Sequence, residues 1–148
     1  MVTYNKFNVM VENLMNKVMD LFGSPIGDSL KVMLSNVAPV ATNSVFADLT
    51  DIAAGNGYTA GGTAVPDVNA TRTTGTVTLT GDALVFTASG GAMATFRYYA
   101  LYDDTPTSPA DPLIAWWDHG SAVTLNSGDT FTINFNNDAT DGTILTLT

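Results

Sequence analysis

The sequence predicts a mainly β protein: an antiparallel two-sheet β-sandwich, jelly-roll-like, with an N-terminal α-helix and one short additional helix. Three observations lead there. From residue 76 onward, short apolar runs are separated by Gly81-Asp82, Ser89-Gly90-Gly91, His119-Gly120, Ser127-Gly128 and Asp141-Gly142, each able to reverse an extended chain. Within the runs the apolar residues alternate, most cleanly Phe131, Ile133 and Phe135 against Thr132 and Asn134. No helical pattern intervenes between these strands, which argues against a parallel α/β sheet.

Taken in order, the first 23 residues read as a helix. Tyr4, Phe7, Val11, Leu14, Val18 and Leu21 recur at steps of three and four, with Thr3 placed to cap the start and Gly23-Ser24-Pro25 to end it. Such a stripe packs on its own sheet or pairs with another copy. Leu30, Val32 and Leu34 then alternate as a strand that Ala38-Pro39 closes, and residues 44–53 space Phe46, Leu49, Ile52 and Ala53 on one face of a short helix. Residues 55–74 are rich in Gly, Asn and Thr and read as an exposed loop with one irregular strand around Tyr58.

Seven strands follow, at 76–80, 84–88, 95–102, 113–117, 122–125, 129–135 and 143–147, so that residues 28–148 form one sandwich and 1–148 a single domain. One strand is unusual. Phe96, Tyr98, Ala100 and Tyr102 lie on one side, Tyr99 and Leu101 on the other, as expected where both faces are covered or one meets a partner.

Composition narrows the function. Charged residues are only 13%, yet fourteen acids face five bases for a net charge of −9, which repels a phosphate backbone and an anionic bilayer. Nucleic acid and membrane are therefore not expected partners, whereas a basic protein surface is compatible. With no cysteine, disulfide and thiolate chemistry are absent. The N-terminus lacks the continuous apolar stretch of a secretory signal, and no run is long enough for a membrane-spanning helix.

Catalytic motifs are scarce. The single histidine, His119, follows Asp118, but neighbours in an extended chain point to opposite faces and make a poor acid–base pair. The run GNGYTAGG has the glycines of a phosphate loop without its Lys-Ser/Thr, so tight turns explain it better. Asp103, Asp104 and Asp111 offer oxygen ligands for calcium at a spacing that fits no familiar calcium loop. Trp116 and Trp117, with Tyr98, Tyr99 and Tyr102, could stack on a sugar, although packing is the simpler use of adjacent tryptophans facing opposite ways. A two-carboxylate glycan hydrolase would have to combine the lone Glu12 with a distant Asp. These residues point to no enzyme, and no cofactor is expected.

Three stretches carry a resemblance when taken together: SLKVMLSNVAPVATNSVFADLTDIAAGNGYTAGG, FTASGGAMATFRYYALYDDTPTSPADPLIAWWDHG and VTLNSGDTFTINF. They cover well over half of the chain and resemble a family of small structural proteins of tailed phages. The resemblance implies a capsid decoration or cement protein on the outer surface of the virion, bound to the major capsid protein and assembled as a homo-oligomer, a trimer being favoured. Around Asp67–Thr74 the sequence departs from the family wording, in which a more regular strand is expected. The candidate interface comprises Tyr4, Phe7, Val11, Leu14 and Val18 of the helical stripe, Phe96, Tyr98, Tyr99 and Tyr102 of the aromatic strand, and Trp116 and Trp117. The alternative is a tail-associated or fibre-like module contacting host glycans through the tryptophans and the Gly-rich loop.

Overall fold

A computed structural model describes residues 3–135 and 142–148. Its antiparallel strands are β1 (Thr3–Lys6), β2 (Leu30–Ser35), β3 (Thr63–Ala64), β4 (Asn69–Thr73), β5 (Thr76–Gly81), β6 (Leu84–Thr87), β7 (Phe96–Asp103), β8 (Leu113–Val123), β9 (Thr130–Ile133) and β10 (Gly142–Leu147), with α1 at Val9–Met15. They form a five-stranded sheet in the order β1-β8-β7-β2-β3, a three-stranded sheet β10-β5-β4 and the pair β6-β9. The protein is mainly β, as expected.

The main core draws on all three sheets: Val32, Leu34, Tyr99, Leu101 and Trp117 from the five-stranded sheet meet Leu79, Phe86, Ile133 and Ile144 from the other two. A smaller cluster occupies the opposite face of the five-stranded sheet. There Phe7, Met33, Ala100, Tyr102 and Leu113 are buried beneath Val9, Phe46, Leu49 and Trp116. The period of two sorts β2 between these clusters, Val32 and Leu34 to one and Met33 to the other.

The N-terminal helix is much shorter than its stripe predicted. Residues 3–6 instead pair with β8, Tyr4 opposite Trp117 and Asn5 opposite Trp116, because the sheet edge offers a hydrogen-bond ladder and aromatic partners that outweigh local periodicity. The helix cap moves accordingly from Thr3 to Asn8, and the helix ends at Asn16, with Lys17 left-handed at φ 57°, well before Gly23. Met10, Asn13 and Leu14 turn inward, leaving Val11 and Met15 outside.

Residues 44–53 form a single 3-10 turn at Phe46–Asp48 rather than a longer helix. Their backbone is engaged elsewhere: the Phe46 N–H donates to Asp111, the Ile52 N–H to Leu34, and the Ser35 hydroxyl to the Thr50 carbonyl. Several connections also differ. The expected break at His119-Gly120 is absent, and β8 runs through it because β7 continues alongside as far as the Phe96–Val123 pair. Gly81-Asp82 carries the chain from one sheet to another, since β5 pairs with β4 and β10 while β6 pairs with β9. The 55–74 loop contains β3 and the regular strand β4, whereas Tyr58 sits in a tight turn closed by reciprocal bonds with Gly55. The expected Asp141-Gly142 turn and the end of the 129–135 strand adjoin residues 136–141, so that turn lies partly outside the described residues.

Candidate functional site

Pairing of β7 with β2 on one side and β8 on the other decides the fate of the aromatic strand. Phe96, Tyr99 and Tyr102 are buried, as is Trp117, which stacks on Tyr99 at 5.4 Å and meets Tyr4 edge-on at 5.7 Å. Burial pushes the Tyr99 phenol up to about 12. The two tryptophans face opposite sides: Trp117 enters the main core, while Trp116 is half-buried against Phe7, its indole Nε1 without a hydrogen-bond partner.

As interface candidates, Phe7, Phe96, Tyr99, Tyr102 and Trp117 are therefore corrected. Each is buried in the chain's own core: Phe96, Tyr99 and Trp117 in the main cluster, and Phe7 and Tyr102 in the smaller one, beneath Val9, Phe46 and Leu49. Tyr98, Leu14, Val18 and Trp116 keep partial exposure, and Tyr4 and Val11 are exposed at 41% and 39%. Met15, at 80%, is a candidate that the stripe missed because it lies one residue beyond Leu14 on the widened apolar side.

The chemical candidates separate. The Asp118 carboxylate is held by Arg97 through two bonds of 2.8 Å and takes the Gly120 N–H at 2.7 Å, which keep it below the usual carboxylate range. The His119 ring lies edge-on to Phe131 at 5.4 Å, so no His-Asp dyad forms. Asp104 pairs with Lys31 at 2.7 Å, Asp103 is wholly buried, and no three carboxylate or imidazole groups converge as a metal site among the described residues. Glu12 is exposed on α1.

The Gly-rich stretch is a packed structural loop. Asp51 accepts the Tyr58 hydroxyl and, at 2.7 Å, the Gly61 N–H; Tyr58 also accepts the Leu34 N–H at 3.1 Å, and the Tyr102 hydroxyl donates to the Gly61 carbonyl at 2.7 Å. Burial, then the bond to Asp51, raises the Tyr58 phenol far above its ordinary value.

One group of carboxyls brings together residues that sequence reading left apart. Antiparallel pairing sets Leu30 opposite Asp103, and Asp28 thereby lies beside the Asp103 carboxyl. Burial, followed by Asp28, pushes Asp103 up to about 8. Only the β2–β7 register reveals this meeting, since the two residues are distant in the chain. Asp28 also lines an open cleft of about 230 Å³ with Asp67, Ile26, Leu30, Val65 and Val68.

No protein-family model matches the chain, and neither a curated protein nor a solved structure matches it. No helix among the described residues is long and apolar enough to cross a membrane.

Proposed function

We propose that the protein is a non-enzymatic decoration or cement protein of a tailed-phage capsid, bound to the outer surface of the major capsid protein lattice as a homotrimer. The observation that carries this reading is the three-stretch resemblance, which spans the 29–62 segment, the aromatic strand with its following loop, and β9. We read the three sheets around one core as a jelly-roll-like sandwich, a form suited to a rigid clamp. Exposed Val11 and Met15, one helical turn apart on α1, with Tyr4 on the edge strand, supply an apolar contact centre. The surplus of acids favours a basic facing surface.

A reconstruction of the particle tests it: this chain should occupy lattice-symmetric positions on the head. Density confined to the tail would overturn the assignment. Met15→Asp should leave the melting temperature unchanged while lowering head occupancy. The glycan-binding alternative is weaker, because Trp117 is buried and Trp116 half-buried, leaving no open aromatic platform from that pair.

A further inference from the structure

We propose that the buried Asp103 carboxyl keeps its proton, donates it in a hydrogen bond to the Asp28 carboxyl beside it, and so forms a pH-sensitive latch that ties the segment between α1 and β2 to the end of β7. Asp103 has no exposed surface, and only its Oδ1 accepts a backbone bond, from the Thr105 N–H at 3.1 Å. Its Oδ2 is buried without an N–H or hydroxyl donor among the described residues. An ionised carboxylate so placed lacks both water and a counter-charge, whereas a protonated one donates to the Asp28 carboxylate beside it.

The surroundings reinforce this state. Asp104, next in the chain, adds negative charge toward Asp103, and Lys31 on β2 is committed to Asp104 at 2.7 Å. From the third side, the Asp20 N–H donates to the Asp28 carboxylate, and the Asp20 carboxyl lies against Gly27. Two more bonds complete the junction: Ser29 N–H to the Thr105 hydroxyl at 2.8 Å, and Asp104 N–H to the Ser29 carbonyl at 2.9 Å. Loss of the proton leaves a buried charge on Asp103 beside the Asp28 carboxyl, with no counter-charge bonded to it among the described residues.

The direction follows from linkage. An unfolded Asp releases its proton near pH ~3.9, whereas the folded Asp103 retains it to about 8, so stability is full below the lower value and declines as pH rises toward the upper one. The unfolding equilibrium constant should rise up to about tenfold per pH unit within that window and level off above it.

The experiment is a carboxyl-carbon NMR titration of the full chain from pH 4 to 10, with amide hydrogen exchange and urea midpoints for wild type, Asp103→Asn and Asp28→Asn. The expected result is one aspartate titrating near pH 8, with lower protection factors, corrected for the intrinsic pH dependence of exchange, at Asp20 and Asp104 above that midpoint. In Asp28→Asn, which remains informative should Asp103→Asn fail to fold, the proton affinity of Asp103 should fall at least tenfold. All aspartates titrating below pH 5, an unshifted Asp103 midpoint in Asp28→Asn, or an unchanged protection factor at Asp20 across the titration would each overturn the latch.

Discussion

Gly62→Ala adds one methyl group where the backbone of β2 already lies. A Cβ at this position would stand 1.9 Å from the Val32 carbonyl oxygen, 2.6 Å from its carbon and 2.8 Å from the Met33 Cα. None of these atoms can rotate aside, because β2 is pinned between β7 and β3. Gly62 also has φ +83°, a conformation that costs an L-residue about 1–2 kcal/mol. Gly75, in the tight β4–β5 connection, separates the two penalties: its φ is +88°, yet an added Cβ meets nothing within 4 Å. Gly75→Ala should therefore cost about 1–2 kcal/mol from backbone strain alone. Gly62→Ala adds an overpacking cost of about 1–3 kcal/mol, for a total of about 2–5 kcal/mol. Urea unfolding at a common m-value measures both, and in a thermal scan each kcal/mol corresponds to about 2–4 °C. If Gly62→Ala were no more destabilising than Gly75→Ala, the Gly-rich loop would not be packed on β2 as described.

Other substitutions follow the same geometry. Tyr58→Phe leaves the buried Leu34 N–H without the hydroxyl it uses and should cost about 1–3 kcal/mol, against about 0.5–1.5 kcal/mol for Tyr102→Phe, which loses a donor to Gly61; equal urea midpoints would contradict the network. Trp117→Ala should cost about 3–5 kcal/mol and Trp116→Ala clearly less, a ranking that denaturation of the two variants checks directly. Trp116→Phe removes a buried Nε1 that has no partner, so it should be milder than Trp117→Phe in the same assay.

The strands most legible in the sequence were those where alternation and turn chemistry agree. β2, β5 and β6 lie where Leu30, Val32 and Leu34, the 76–80 run and the 84–88 run placed them. The N-terminal stripe misled because Tyr4, Phe7 and Met10 satisfy helical spacing while serving three different surroundings: a strand contact on Trp117, the smaller cluster and the main core. Local periodicity cannot register that an edge of β8 is available to residues 3–6. The two-faced character of β7 was visible, but not what covers its second face, since Phe46 and Leu49 reach it from a segment that reads as an ordinary short helix. The carboxyl pair was invisible for the same reason, as it exists only in the register of β2 on β7.

Burial of the aromatic strand leaves the outer side of α1 and the β1 edge as the most exposed part of the candidate interface. A seven-residue helix is too short to be stable alone, so α1 holds its shape through Met10, Asn13 and Leu14, while Val11 and Met15 contribute little to the core. Binding and folding should therefore separate genetically on this element, outward changes altering association and inward ones altering stability. Val11, Met15 and Tyr4 are nevertheless too few to fill a stable interface of about 1,200–2,000 Å². A contact centred on them has either to extend over the surrounding polar surface or to gain strength from many identical copies held in one array, where modest single affinities multiply into avidity. An isolated subunit binding tightly to an isolated partner would favour the first route; attachment seen only on the assembled lattice would favour the second, which is the one a cement protein needs.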